Sequence, residues 1–211
     1  MEFRKAVESD VNSIMNIIKQ AQSYFKEHGI DQWQDGYPNI ETIRNDISNK
    51  YGYVLLKDNN VIGTAAVSFD GEKTYDSIYD GKWLSNNEYA VIHRIAVDSN
   101  YKGLGFASLI IKNVEKICLS KGVHSIKIDT HRENKSMQRL LKKNGFEYCG
   151  IIYLEDKSER IAFEKILIWN LSTFIKNPFC VLMKNIGLST ECMGFVIIYN
   201  IIELKMLWKA F

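Results

Sequence analysis

Apolar residues recur along the chain at two spacings, and the switches between them mark out its elements. Glu2 to Val7 alternates weakly, as a short strand does. Ser9-Asp10 offers N-cap chemistry, and Val11, Ile14, Met15, Ile18, Ala21 and Phe25 then follow at helical spacing, which predicts a helix with one buried face. Gly29 to Pro38 reads as a loop by its glycines and proline, although it holds the large aromatics Trp33 and Tyr37. Asn39 caps a second predicted helix with Ile40, Ile43 and Ile47 inward. Tyr51 to Lys57 and Val61 to Phe69 are β-rich runs joined at Asp58-Asn59-Asn60, a hairpin signal without the glycine common in two-residue turns. Asp70 to Asn87 is polar and reads as an excursion between strands.

The strongest strand pattern is Tyr89 to Val97. A helix starting near Gly103 turns Ala107, Ile110, Val114, Ile117 and Cys118 inward and stops at Gly122. Val123 to Thr130 alternates again, and Asn134 opens a short helix with Met137, Leu140 and Leu141 inside. Asn144-Gly145 ends that helix, since both residues accept a left-handed backbone. Phe146 to Leu154 and Arg160 to Leu167 form a last hairpin about Glu155-Asp156. This order describes an α/β fold with a mixed, mostly antiparallel sheet flanked by helices.

Past residue 167 charges thin out, so the chain divides into a domain over 1–167 and an apolar extension over 168–211. The extension reads as helical, packed on the domain or on a second subunit, which leaves a homodimer open. Phe195 to Ile202, broken by Asn200, falls far short of the ~20 residues of a membrane span, so a peripheral membrane contact is the weaker reading.

At 211 residues the chain can bury one good core, and 46% hydrophobic with 25% charged residues is ordinary for a globular domain. A net charge of +2 demands neither nucleic acid nor an anionic surface, and it argues against a polycationic partner. The N-terminal residues lack the apolar run of a secretory signal. Cys118, Cys149, Cys180 and Cys192 lie far apart without a CxxC pair, so reduced thiols, a cytoplasmic location and no metal are expected.

The chemistry gathers in His93 to Ala107, where a buried strand meets a glycine-containing turn and then an amphipathic helix. Such a turn points backbone N–H groups at one place, beside the positive end of the helix dipole. Gly103 and Gly105 let an anion approach the backbone and Lys102 adds a charge, so the segment suits a diphosphate. A dinucleotide fold would read Gly103, Gly105 and Ser108 as GxGxxG with its third glycine lost, and Asp129 as the ribose-binding acid. That fingerprint opens a parallel repeat, whereas here one strand and helix lead into an antiparallel hairpin.

The chain resembles the GNAT superfamily of acetyl-CoA-dependent acetyltransferases over residues 2–167. Asn100 to Gly105 is similar to the family's (Gln/Arg)-x-x-Gly-x-(Gly/Ala) cradle except at its first position, and Asn134 to Phe146 resembles a second family segment, with Lys143, Gly145 and Phe146 in register. The resemblance implies acetyl-CoA as co-substrate and a small-molecule or peptide amine as acceptor. It implies a slot between the strands ending at Val97 and Thr130, opened by a bulge, where Ile95, Ala96 and Val97 hold pantetheine. It places the diphosphate on Lys102, Gly103, Leu104, Gly105, Phe106 and Ala107, and sets Asn134 and Lys143 among the coenzyme-binding residues.

An attacking amine must lose a proton, which suits a base titrating near neutrality. His93, on the strand bordering the slot, is the first candidate, a hydrogen-bonded structural histidine being the competing reading. Glu88 acting through water and His131 are alternatives. Trp33 and Tyr37 match the family's acceptor-binding region, or else plug the end of the sheet. Leu141 stands where family members often carry a proton-donating tyrosine, leaving Tyr153 or solvent for that task. A non-catalytic acyl-CoA-binding module is the alternative that Leu141 keeps open.

Overall fold

The computed structural model describes residues 1–168. The expectations for the extension, with its membrane or subunit contact, lie outside the described residues. In chain order the elements are β1 (Glu2–Lys5), α1 (Val11–Glu27), α2 (Ile40–Ser48), β2 (Gly52–Lys57), β3 (Asn60–Ser68) and β4 (Ala90–Val97). There follow α3 (Phe106–Ser120), β5 (Ser125–Thr130), α4 (Lys135–Lys143), β6 (Glu147–Tyr153) and β7 (Glu159–Ile166).

Seven strands form one sheet in the order β1-β2-β3-β4-β5-β7-β6. Neighbours are antiparallel except β4 and β5, whose parallel pairing needs a crossover that α3 provides. Alternation along β2 divides the core: Tyr53 and Leu55 join the cluster with α3, while Val54 and Leu56 join the cluster with α1. On the α3 side Ile110, Ile111, Val114 and Cys118 are fully buried with Ile92, Ile126 and Ile128, and Ile14, Ile17 and Ile18 fill the α1 side.

Local chemistry sets the ends of elements. Asp10 accepts two hydrogen bonds from Arg4 (2.7 and 3.0 Å) and one from the Val7 N–H (2.9 Å), fixing the entry to α1. Asn39 caps α2 by accepting from the Thr42 N–H at 2.9 Å. Ile43 is buried there as expected, but Ile40 in the first turn is exposed, because the apolar face of so short a helix begins one turn later. The hairpin turn takes two residues, Asp58 and Asn59, with φ of 50° and 64° and Lys57 opposite Asn60. Asp and Asn tolerate the left-handed conformation, which is how the turn closes without glycine.

The polar excursion after β3 folds back over the sheet. Tyr79 and Ile151 of β6 exchange two backbone hydrogen bonds of 2.8 Å, and a Cβ on Gly81 would collide with the Cys149 carbonyl oxygen. The Glu164 carboxylate, fully buried, accepts from the Leu84 N–H (2.6 Å), the Ser85 hydroxyl (2.7 Å) and the Ser125 hydroxyl (2.6 Å). The β6–β7 register slips between Tyr148 and Gly150, which leaves one extra residue, Cys149, in β6.

Candidate active cleft

β4 and β5 run together only at Ala90↔Ile126 and Val91↔Lys127, then part. The cause lies on the other edge of β4: Ala66 of β3 faces His93 while Thr64 faces Ala96, so β4 carries one extra residue. That bulge bends the strand away from β5. It holds Arg94 at a φ of 51°, which costs a non-glycine residue about 1–2 kcal/mol. Arg94 is fixed there by Asp46 of α2, through Nε to Oδ2 at 2.7 Å and Nη2 to Oδ1 at 2.6 Å, and its Nη1 donates to the Tyr37 hydroxyl at 2.5 Å. Beyond the bulge the Asp98 N–H donates to Ile62 O at 2.9 Å, on the β3 side. Alternation therefore turns the N–H of Val97, and of Ile95 two residues back, toward the gap, with Ala96 facing β3 between them.

The turn leaving β4 is built by side chains. The Asp98 carboxylate accepts from the Asn100 N–H (2.9 Å), and Gln20 of α1 both donates to Asp98 (3.1 Å) and accepts from the Ser99 N–H (2.7 Å). Gly103 and Gly105 have φ of 78° and 86°, so the helix begins at Phe106, three residues later than expected from Gly103. A Cβ at either glycine would meet nothing within 4 Å, so conformation and not crowding calls for glycine. Among the described residues the N–H groups of Gly103, Gly105, Phe106 and Ala107 have no partner. Those of Lys102 and Leu104 reach Ser99 O (3.3 Å) and Tyr101 O (3.5 Å), so four of the six expected amides are free. The Lys102 ammonium lies 3.9 Å from the centre of the Tyr24 ring, beside this turn.

Where the strands part, a cleft of about 800 Å³ opens, lined by Trp33, Tyr37, His93, Arg94, Ile95 and Asn134 among others. Trp33 also packs edge-to-face on Phe25 with ring centres 5.5 Å apart, so it both lines the cleft and closes the core behind it. His93 Nε2 lies 3.5 Å from Glu72 Oε2. Burial, then the Arg94 guanidinium, lowers its pKa to about 4 against the pull of Glu72, so His93 is neutral at physiological pH. Asp129 accepts from the Tyr75 hydroxyl at 2.7 Å, and burial raises its pKa above the ordinary carboxylate value, with the Tyr75 hydroxyl and Arg160 acting against the rise. Both lie two residues past the last β4–β5 pair and so share one face of the sheet.

Asn134 uses half of its hydrogen-bonding capacity within the chain. Its Oδ1 caps α4 through the Met137 N–H (3.0 Å) and its Nδ2 donates to Gln32 at 2.9 Å, leaving one proton and one lone pair. Other candidates stand apart from the cleft. Glu88 is exposed ahead of β4 and absent from the lining, and Glu72 is the carboxylate beside His93 instead. His131, its pKa lowered chiefly by burial, follows β5 outside the lining. Lys143 is exposed in the last turn of α4. Leu141 is fully buried in the core, and Tyr153 is exposed on β6 against Tyr79, so neither reaches the cleft.

Asp46, Glu72, Arg94 and Asp129 were not singled out by spacing as parts of this site. The available signal was their position: Arg94 stands next to His93 in a strand otherwise apolar, while Asp129 fell on the polar side of an alternating strand and carried no such mark. Among the described residues no group of three or more His, Cys, Asp or Glu side chains could hold a metal ion, and no helix is long and apolar enough to cross a membrane.

Comparison with known proteins agrees with this geometry. The model of the acetyltransferase (GNAT) family matches residues 13–146. A GNAT-family acetyltransferase of Streptococcus agalactiae is 35% identical, over 80% of this chain and 96% of that one, with a TM-score of 0.73. Two others share the fold at lower identity. A GNAT-family acetyltransferase of Listeria monocytogenes is 18% identical over 79% of this chain and 94% of its own, with a TM-score of 0.62. The ribosomal-protein-alanine N-acetyltransferase of Brucella melitensis is 17% identical over 79% and 100%, with a TM-score of 0.58. No curated protein sequence matches the chain significantly.

Proposed function

The chain belongs to the acetyltransferase (GNAT) family, whose members take an acyl group from acyl-CoA, and from that premise we propose that it acetylates a primary amine with acetyl-CoA. The observation that carries this reading is the gap between β4 and β5, which begins at the bulge and ends in four unpartnered amides. The diphosphate binds the amides of Gly103, Gly105, Phe106 and Ala107 at the positive end of α3, with Lys102 nearby. Pantetheine lies in the gap and pairs with Val97 and Ile95 as an added strand would, while Asn134 offers its remaining proton and lone pair. An N–H of the bulge donates to the thioester oxygen as negative charge grows there.

The acceptor arrives as an ammonium and gives up a proton before its nitrogen attacks the thioester carbon. Asp129 is the base we assign, because it faces the cleft and burial raises its pKa above the ordinary carboxylate value. His93, at about 4, holds a proton only weakly and serves by passing it toward Glu72. As the C–N bond forms the C–S bond breaks, the nitrogen sheds its second proton to solvent, and the departing CoA thiolate takes one up, so the net products are the N-acetyl amine, CoA thiol and one proton. Two buried free thiols, Cys118 and Cys149, are consistent with the cytoplasmic location we assign.

Calorimetry of the full chain with coenzyme A, followed by thiol release from acetyl-CoA with an amine present, tests the reading. Binding with amine-dependent release is expected. Absence of binding removes the proposal, and binding without release for any amine leaves the non-catalytic module.

A further inference from the structure

Although the whole chain carries a charge of only +2, among the described residues eight carboxylates and two guanidinium groups line the cleft, with no lysine. Arg94 is spent on Asp46, and Asp70 accepts from the Tyr51 hydroxyl. The remaining carboxylates lie in two tiers. Glu72 and Asp129 are deep, beside His93 and the Tyr75 hydroxyl. Asp31 and Asp35 of the aromatic loop, with Glu155 and Asp156 of the β6–β7 turn, are exposed and form the outer tier of the same lining. Among the described residues Arg160 is the one lining cation not held by a carboxylate; its Nη1 donates to Glu159 O at 2.9 Å.

A second observation is independent of charge. Thr130 is 1% exposed and lines the cleft, yet its hydroxyl oxygen has no hydrogen-bond partner. The Ser158 hydroxyl, two residues past Asp156, is likewise buried and without one. Buried hydroxyls are ordinarily satisfied, and among the described residues these two have no partner. An ammonium brings three N–H donors and needs acceptors of this kind.

Resting on the acetyltransferase reading above, we infer that the acceptor is a flexible aliphatic diamine or polyamine. Its reacting amine lies by Asp129 and Glu72, and its second ammonium lies against the outer carboxylates. The balance is that of simple N-acetylation: the ammonium and acetyl-CoA give the N-acetyl amine, CoA thiol and one proton. The second ammonium is untouched and acts only through attraction. Several carboxylates acting on one ammonium, though screened by solvent at the exposed tier, suffice for a preference on the order of tenfold. Salt weakens that attraction at the exposed tier more than at the deep one.

The experiment compares thiol release by the full chain with 1,4-diaminobutane, n-butylamine and 4-aminobutyrate, which share one reacting amine and differ at the far end. A lysine-containing tetrapeptide serves as a fourth acceptor, and coenzyme A binding is measured on the same preparation. The expected result is kcat/KM for the diamine at least about tenfold above butylamine, with the amino acid lowest. The advantage should shrink between low and 0.5 M salt, a condition under which the Debye length falls to a few ångströms. Asp35→Asn combined with Glu155→Gln should bring the diamine-to-butylamine ratio toward one. Equal rates for diamine and butylamine, or a faster peptide, overturn this inference while leaving an acetyltransferase. Failure to bind coenzyme A would remove the parent reading as well.

Discussion

His93 and Asp129 face one cleft, and burial moves their pKa values in opposite directions, because it disfavours the charged form of each. For His93 the folded value of about 4 lies below the unfolded value near 6.5, so the unfolded chain binds more protons between them. Stability should therefore be full above pH 6.5 and fall as pH drops toward 4, by up to about 3 kcal/mol. Urea unfolding of wild type and His93→Gln across that window checks this, with a flatter profile expected for the variant. For Asp129 the raised pKa means that ionisation opposes folding above the ordinary carboxylate value. Asp129→Asn should thus keep or raise Tm at pH 8 while lowering kcat by about 10²–10⁴, the usual worth of a general base. Unchanged kcat would remove Asp129 from the mechanism. Gly105→Val should cost about 1–2 kcal/mol from its positive φ and abolish coenzyme A binding measured by calorimetry. Gly103 and Gly105 were legible in the sequence because glycine announces its backbone. Asp129 was not, since its raised pKa comes from burial by segments distant in the chain, among them the one carrying Tyr75, 54 residues away.

Among elements, the β4 bulge depends on α2. Arg94 and Asp46 are both nearly buried, so Asp46→Ala leaves a guanidinium without its partner, and about 3–5 kcal/mol of lost stability is expected in chemical denaturation. Arg94→Lys should recover little, since an ammonium cannot span both carboxylate oxygens. At the β2–β3 turn, Asn59→Gly should add a few tenths of a kcal/mol by easing a φ of 64°, read as a small rise in Tm. Periodicity placed these strands and helices to within a few residues, because each has one buried face. It missed where α3 begins, as the side-chain scaffold of Asp98 and Gln20 that shapes the preceding turn joins two distant segments. The bulge was foreseen only through the family resemblance, for the residue that pins it, Asp46, reads in sequence as an ordinary helical aspartate.

Over the whole molecule, the sheet is two halves, β1 to β4 and β5 to β6, joined by two residue pairs at the start of β4. A ligand threading the gap supplies the pairing that the strands lack. Hydrogen exchange should show fast amides at Ile95 and Val97 in the free protein and slow ones with coenzyme A, with Tm rising in proportion to the logarithm of ligand excess. Equal exchange in both states would place the coenzyme elsewhere. Total charge hid the acidic cleft, because lysines and arginines elsewhere offset the carboxylates that the fold gathers between its loops.

The excursion that presents Glu72 and Tyr75 is fastened to the outermost strand, through Tyr79 at Ile151 and Gly81 against Cys149. A border strand with free N–H and C=O groups invites a neighbouring molecule to extend the sheet, and self-association follows. Here part of that border is already taken by the chain's own loop and bent by the extra residue at Cys149. The segment that builds one wall of the reaction chamber thereby also guards the protein against polymerising along its rim.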